Sequence, residues 1–152
     1  MSADDRLRAL GLSLPQVVAP LASYVPAVRT DKLVWTSGQL PFVDGTLAAT
    51  GKVGAEVDAA RAQELARICA LNALAAVAAE IGGLDSVRRV VKVVGFVASA
   101  PSFFGQPGVV NGASDLLAEV FGDSGRHARS AVGVAALPLD APVEVEVVVE
   151  VA

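Results

Sequence analysis

The run of alternating valine and glutamate near the carboxyl end constrains the fold more than any other feature of the chain. In Val143–Val151 every odd-numbered position is valine, while Glu144, Glu146 and Glu150 share the even-numbered positions with Val148. Successive side chains of a β-strand point to opposite faces of a sheet, so the run predicts a strand with one apolar and one acidic face. We expect helices on the apolar face, and water, another chain or a ligand site on the acidic face.

Two helical segments stand out before this strand. Val57–Ile81 contains ten alanines and almost no helix breaker, which predicts a long helix ending at Gly82. Because Ile68–Ala79 has Asn72 as its one polar residue, that half is expected to be buried nearly all round. Asn111–Phe121 predicts a second helix that stops at Gly122.

The remaining segments have strand patterns. Short strands are expected over 24–29 and 33–37, a weak one over 43–51, a long one over 87–97, and another over 127–135. The order strand, strand, helix, strand, helix, strand, strand indicates an α+β fold with the helices on one side of a sheet. The 152 residues suit a single domain over 1–152, with residues 1–20 as an N-terminal extension that includes a short helix over Asp4–Leu10.

Composition limits the partners. The chain is 53% hydrophobic, and we expect the surplus apolar surface to lie at a subunit interface. No apolar run approaches the roughly 20 residues of a membrane span, so no membrane partner is expected. Net charge is −4 with scattered basic residues, which argues against nucleic acid. The polar start is unlike a secretory signal, and a cytoplasmic location is therefore expected.

One arginine stands alone in the small, apolar strand before the last turn. Arg129 lies between Ala128 and Ser130, in a segment of alanine, glycine and valine. An arginine keeps its charge, so a half-buried strand retains one only beside an anion or for binding an anion. Arg129 is therefore the best functional candidate in the chain.

Metal and nucleophile chemistry have little support in the sequence. The chain has one cysteine and one histidine, which cannot form a zinc site without carboxylates placed around them, so no metal is expected. Cys69 lies in the alanine-rich helix and is expected to be a small buried hydrophobic residue. Ser37 has no base beside it in sequence, and His127 is the one histidine, so a serine-nucleophile triad is not favoured.

Several motifs, taken in order, resemble the RidA/YjgF/UK114 family. They cover nearly all the chain from Tyr24, and the ordered set is specific although each motif alone is weak. The motifs are Tyr24-Val25, Thr36-Ser37-Gly38-Gln39-Leu40-Pro41, Asn72, Val90-Val91-Lys92, Asn111, Arg129-Ser130-x-Val132, Leu137-Pro138 and Val143-Glu144-Val145-Glu146.

The resemblance implies a chorismate-mutase-like α+β fold and a homotrimer with three clefts between subunits. It also implies hydrolysis of reactive enamines and imines, such as 2-iminopropanoate, to 2-keto acids and ammonia without a cofactor. By the same resemblance, Arg129 grips the substrate carboxylate and Glu144 positions or activates water. Tyr24, Ser37, Gly38 and Asn111 match positions that line the pocket, and Ala131 is expected to bind substrate with them.

The residue types suit this chemistry. A guanidinium can hold the carboxylate of a small 2-imino acid with two parallel hydrogen bonds, and a carboxyl group of raised pKa can direct water and deliver a proton. The turn at 137–142 reverses the chain, and strand rise then places Glu144 level with Ala135, about 20 Å from Arg129. We therefore expect the two residues to meet only across a subunit interface.

Structural roles compete with each of these assignments. Arg129 could pair with Glu146 or Glu150 at an interface, and alternating glutamates are usually a solvated face. Tyr24 could be a packing residue, and Asn111 could cap the second helix. Asn72 is expected to satisfy backbone groups in the core.

Some features depart from the family pattern. Imine deaminases of the family often carry cysteine two residues after the arginine, where this chain has Ala131, and Ala22-Ser23 replaces the usual Gly-Pro before the tyrosine. The segment Phe103–Val110 is expected to be a longer loop before the second helix, which suggests a divergent branch. The alternative function is a non-catalytic, trimeric sensor of small carboxylate metabolites or a chaperone-like protein. A ribonuclease function has little physical basis in an acidic chain with one histidine.

Overall fold

The valine–glutamate run forms a strand inside a sheet in the computed structural model, which describes residues 1–20 and 22–152. The helices are α1 (Ala3–Ala9), α2 (Ala59–Ile81) and α3 (Gln106–Phe121), with short 3-10 helices at Gly122–Gly125 and Pro138–Asp140. The strands are β1 (Ala27–Thr30), β2 (Leu33–Thr36), β3 (Phe42–Val43), β4 (Thr46–Leu47), β5 (Val87–Ala98), β6 (Ala128–Val134) and β7 (Val143–Val151).

Within the described residues, five strands form one sheet in the order β1-β2-β7-β5-β6. β5 pairs antiparallel with β7 and parallel with β6, while β1-β2 and β2-β7 are antiparallel. Helices α2 and α3 pack against each other and against this sheet. The α+β fold with two helices on one face of the sheet is therefore confirmed.

The weak strand expected over 43–51 is instead the hairpin of β3 and β4. Asp44 and Gly45 connect these strands with φ of 50° and 80°. Two consecutive residues of positive φ are typical of the tight turn of a hairpin, and an Asp-Gly pair tolerates them better than most. The hairpin packs beside α2 and separate from the main sheet.

The core lies between the apolar face of β7 and the two helices. The odd-numbered valines of β7 are each at most 1% exposed, as the alternation predicts. Helix α2 begins after Asp58, whose carboxylate accepts a hydrogen bond from the Arg61 amide at 2.7 Å, and it ends at Gly82 with φ of 80°. Cys69 is fully buried, and burial raises the pKa of its thiol well above its ordinary value. Cys69 is therefore a small core residue, as expected.

Two polar or small residues let α2 approach its neighbours. A Cβ on Gly112 of α3 would lie 1.9 Å from the Gln63 carbonyl oxygen of α2, so a larger residue would push the helices apart.

Asn72 is 3% exposed and donates to the carbonyls of Leu40 and Phe42, both at 3.1 Å. Asn72 thus satisfies backbone groups at the start of the hairpin and just before it, as predicted.

Helix α3 begins five residues earlier than the sequence pattern predicts. The expected loop over Phe103–Val110 is wrong, because from Gln106 onward these residues are helical. Pro107 lies in the first turn, where its missing N–H is not needed, and Val109 and Val110 are buried. Asn111 is consequently inside the helix and cannot be its cap.

The other face of the sheet, termed the open face, combines apolar and acidic side chains. Val28, Trp35 and Val132 are 52%, 49% and 42% exposed there. Pairing places Val28 beside Trp35, Trp35 beside Val148, and Phe96 between Val132 and Glu144. Exposed side chains of this size on one sheet face are the surplus apolar surface that the composition indicates. Among the described residues, no helix is long and apolar enough to cross a bilayer.

Candidate functional site

Arg129 faces the helices and not the open face. It pairs with Val93, which is fully buried against the helices, and paired residues of a sheet point to the same side. Its Nη1 donates to Asn111 Oδ1 at 2.7 Å and to Ser114 Oγ at 3.2 Å, while Nη2 donates to the Pro107 carbonyl at 3.3 Å. Helix α3 thus supplies all three acceptors.

Ser114 and His127 extend this network, and sequence reasoning missed both. Ser114 Oγ lies 2.9 Å from His127 Nε2, and His127 Nδ1 lies 2.6 Å from the Gly125 carbonyl oxygen. Ser114 follows Asn111 by three residues, a spacing that puts both on one face of a helix. That signal was available, because the helix predicted over Asn111–Phe121 includes both residues. We call Arg129, Asn111, Ser114 and His127 the arginine cluster.

The arginine cluster contains no carboxylate. Glu146 and Glu150 lie on the open face, and the described residues place no carboxylate oxygen within 4.0 Å of Arg129. Within one chain, the pairing of Arg129 with either glutamate is therefore not what the structure shows. A half-buried guanidinium with neutral acceptors can still take up an anion.

Glu144 lies on the open face, at the mouth of a small cavity. The cavity has a volume of about 50 Å³ and is lined by Val18, Ala19, Pro20, Tyr24, Pro26, Gly38, Gln39, Leu40, Phe42, Pro138 and Glu144. We call it the glutamate pocket. Three predicted site residues, Tyr24, Gly38 and Glu144, therefore come together here.

Gly38 lets the Glu144 carboxyl group lie against the backbone. A Cβ at position 38 would lie 2.7 Å from both Cδ and Oε1 of Glu144, closer than side-chain atoms pack. Burial raises the pKa of Glu144, and the charge of Glu146 raises it further. The pocket thus holds a carboxyl group that keeps its proton to a higher pH than an ordinary glutamate does.

The N-terminal segment, residues 12–20, forms part of the glutamate pocket, which sequence reasoning also missed. Leu12 and Leu14 pack against the core, and Val18, Ala19 and Pro20 then line the pocket. The sequence offered only prolines and scattered apolar residues here, a pattern without a period that could place the segment.

The two remaining predicted residues have backbone or packing contacts. Ser37 Oγ donates to the Val25 carbonyl at 2.6 Å, which ties β2 to the chain entering β1. Ala131 pairs with Gly95 and packs against the core on the helix side, two residues beyond Arg129. Ala131 therefore lies on the same face of β6 as Arg129.

Arg129 and Glu144 are far apart in one chain, for a reason that differs from the sequence argument. Glu144 is level with Val132 and not with Ala135, because both Glu144 and Val132 pair with Phe96. β5 lies between β6 and β7, and the two side chains point to opposite faces. Strand rise and spacing put their Cα atoms about 14 Å apart. The chain therefore presents two separate sites of opposite character.

Comparisons with known proteins agree with this architecture. A family model described as "YjgF/chorismate_mutase-like, putative endoribonuclease" matches residues 4–151. The chain belongs to the YjgF/chorismate-mutase-like family. This confirms the resemblance carried by the ordered motifs and the fold it implies.

Relatives of this YjgF-family chain include a curated protein and solved structures. Protein TCP17 from Trypanosoma cruzi is 48% identical over 145 residues, which cover 95% of this chain and 91% of that protein. The protein Atu1372 from Agrobacterium tumefaciens, described as having unknown function, is 49% identical with a TM-score of 0.92, covering 99% of this chain and 92% of that one. A structure from Shewanella oneidensis MR-1, described as a putative endoribonuclease, is 32% identical with a TM-score of 0.97, covering 99% and 100%.

Proposed function

We propose that this YjgF-family chain hydrolyses small 2-imino carboxylates to 2-keto acids and ammonia, in clefts where two protomers of a homotrimer meet. One observation carries the proposal. A fixed cation at Arg129 and a carboxyl group of raised pKa at Glu144 occupy separate sites on opposite faces of the sheet. Each site supplies half of the chemistry, and a neighbouring protomer can bring the two halves together.

The arginine cluster is suited to hold the substrate carboxylate. Three of the five N–H donors of Arg129 have acceptors within the described residues, all of them neutral. The Nε–H and one Nη2–H remain for a ligand. A carboxylate bound by these donors would be held by charge-assisted bonds in a fixed orientation.

The glutamate pocket is suited to move protons. Water must bond to the imine carbon as the C=N π electrons become a lone pair on nitrogen, which gives a carbinolamine. The nitrogen lone pair then takes a proton, the C–N bond breaks with its electron pair leaving on ammonia, and the hydroxyl group loses its proton as the carbonyl forms. Glu144 can take a proton from the attacking water and return it to nitrogen, because its raised pKa makes the carboxylate a stronger base than that of an ordinary glutamate.

The lining of the glutamate pocket favours small apolar groups. Its walls of valine, alanine, proline, leucine and phenylalanine suit a short apolar substituent. The imine carbon of such a substrate would lie between Arg129, which binds the substrate carboxylate, and Glu144.

Two features support a homotrimer as the assembly. The open face exposes Trp35, Val28 and Val132, a surface that a second and third copy of the sheet would bury. β6, which bears Arg129, is an edge strand of the described sheet, so the arginine cluster lies at a border that a neighbour can approach. Closed symmetry would repeat that junction three times.

Complementation between two inactive variants tests the shared cleft. Arg129→Ala and Glu144→Gln are each expected to lose turnover of freshly generated 2-iminopropanoate, measured as ammonia release. If the cleft takes Arg129 from one protomer and Glu144 from the next, random mixed trimers contain both native residues in about a quarter of their clefts, and activity returns to about that fraction. An exposed Arg126→Ala variant should behave like the native protein throughout.

Other outcomes would replace the proposal. Mixed trimers without activity would place both residues in one protomer's site or remove one of them from the reaction. Pyruvate binding without any turnover would favour the non-catalytic carboxylate sensor. RNA cleavage that survives Arg129→Ala and stringent purification would favour the endoribonuclease named for relatives of this chain, against the electrostatics of a chain with net charge −4.

A further inference from the structure

A chain of hydrogen bonds runs from the Gly125 carbonyl to the Arg129 guanidinium, and its protons can be assigned. A carbonyl oxygen only accepts, so His127 Nδ1, 2.6 Å from it, carries a proton. In the neutral imidazole, Nε2 then accepts the Ser114 hydroxyl proton at 2.9 Å. The Ser114 oxygen in turn accepts from Arg129 Nη1 at 3.2 Å. Every bond in the chain has one direction while His127 is neutral.

We propose that Ser114 and neutral His127 are positioning residues that fix the Arg129 guanidinium for a ligand carboxylate. The proposal rests on the function assigned above to Arg129. Both hydrogens of Nη1 are used, one by Ser114 and one by Asn111. Asn111 is exposed and can move with solvent, whereas Ser114 is half-buried and held by the imidazole. The orientation of the Nε–H and Nη2–H donors therefore depends on Ser114, together with the Pro107 carbonyl that accepts from Nη2 at 3.3 Å.

Protonation of His127 would break this arrangement. Nε2 would then donate to the same Ser114 oxygen that accepts from Arg129, so two cationic donors would converge on one hydroxyl. The two hydrogen bonds laid end to end separate those nitrogens by no more than about 6 Å, a distance at which like charges repel. We expect the guanidinium to leave Ser114, so the affinity for a carboxylate falls as His127 takes up a proton.

Other charged groups near His127 are on the surface or on the far face. Lys92 of β5 points to the open face, where it donates to Ser130. Glu119 is paired with Arg67 at 2.8 Å. The remaining charged groups on these elements are Asp4, Asp5, Arg6 and Arg8 on α1, Arg88 and Arg89 on β5, Asp115 on α3, Asp123 in the 3-10 helix, and Arg126. A pH effect that arises from any of them would persist when His127 is replaced.

Nuclear magnetic resonance can test the positioning without any ligand. His127 is the only histidine in the sequence, so one imidazole gives all the histidine signals. At pH 8 the ¹⁵N shifts should show the Nδ1–H tautomer. The Arg129 Nε signal should move with the same pH midpoint as the imidazole, and it should stop doing so in Ser114→Ala. An Nε2–H tautomer, or an Arg129 signal that ignores the imidazole titration, would overturn the proposal.

Pyruvate binding between pH 8 and pH 5 tests the consequence, because its carboxylate stays ionised over this range. Every protein compared, the native reference included, carries Glu144→Gln, so that this carboxyl does not titrate alongside His127. Native affinity should fall several-fold with the His127 midpoint. In His127→Gln the amide oxygen can still accept the Ser114 hydroxyl, so the affinity at pH 8 should be retained at pH 5. Ser114→Ala should bind about 3- to 10-fold more weakly at pH 8 and show no such midpoint. The exposed Ser124→Ala control should match the native protein.

The outcomes separate this inference from the proposed function. Affinity that rises on acidification, as an added positive charge alone would cause, would overturn the positioning role, and so would an unchanged pH dependence in His127→Gln. If native protein and Arg129→Ala bind pyruvate equally, the proposed function fails, while the ligand-free coupling of the Arg129 and His127 signals still decides whether the pair positions the guanidinium.

Discussion

The arginine cluster and the glutamate pocket treat charge in opposite ways. Around Arg129, amide, hydroxyl and carbonyl oxygens from one helix hold the guanidinium in place. Around Glu144, apolar walls and a neighbouring carboxylate disfavour ionisation, so burial and Glu146 raise its pKa. One site keeps a permanent charge in a fixed geometry, and the other keeps a proton exchangeable. Hydrolysis of an imine that carries a carboxylate needs both properties, at two different atoms of the substrate.

Removal of the fixed charge should have the largest effect. Arg129→Ala is expected to lower kcat/KM for 2-iminopropanoate roughly 30- to several thousand-fold. This corresponds to a loss of about 2 to 5 kcal/mol of transition-state stabilisation. The reason is that the substrate carboxylate loses its cation. Steady-state ammonia release measures the change, and gel filtration checks that assembly is retained. A loss below threefold would remove Arg129 from the site.

Displacement of the Glu144 carboxyl group should have the next largest effect. Gly38→Ala puts a methyl group where the Glu144 carboxyl now lies, so that carboxyl must move away from the pocket backbone. We expect kcat to fall about 10- to 100-fold with little change in pyruvate affinity, since the loss is of acid–base catalysis. Gly108→Ala is the matched control, because a Cβ there meets nothing within 4 Å. Equal activity in the two variants would contradict the role of Glu144.

Loss of the exposed acceptor in the arginine cluster should have a smaller effect. Asn111→Ala removes one of the two acceptors of Arg129 Nη1. A net contribution of about 0.5 to 1.5 kcal/mol predicts a rise in KM of about 2- to 12-fold, with kcat nearly unchanged. Initial rates over a range of substrate concentrations separate the two constants. A fall in kcat alone would indicate that Asn111 acts on the reaction and not on Arg129.

The smallest expected effect is on stability. Because the folded-state pKa of Glu144 lies above its ordinary value of 4.5, the native protein loses stability as the pH rises through that raised pKa. Glu144→Gln removes this loss, so its free energy of unfolding should exceed that of the native protein at pH 8. The difference should shrink as the pH falls toward 4.5. Urea unfolding at several pH values measures it, and a difference that grows on acidification would contradict the pKa shift.

The fold was largely predictable because its main helices and strands have recognisable patterns in the local sequence. The valine alternation of β7 and the alanine-rich α2 each carry their own period, and the structure reproduces them almost residue for residue. The start of α3 was missed because Gly105, Pro107 and Gly108 are typical of loops, although proline also suits a first helical turn. Local composition alone does not separate these two contexts.

The candidate site was predictable only in part, because its geometry depends on pairing between distant segments. No sequence pattern indicates that β5 lies between β6 and β7, and that pairing sets the level of Glu144 relative to Arg129 and the opposite faces on which the two side chains lie. Ser114 and His127 were missed for the same reason, since their contact requires α3 to lie beside the chain that enters β6. The sequence therefore indicated which residue types could form a site, whereas the contacts between these residues depend on the tertiary structure.

The glutamate pocket joins segments that lie far apart in the chain, and this has a consequence for biosynthesis. Val18, Ala19 and Pro20 emerge from the ribosome more than 120 residues before Glu144. A nascent chain therefore keeps this apolar stretch uncovered until β7 has been made. The pocket can form only after β7 has inserted between β2 and β5, so chains that stop before β7 are expected to lack it.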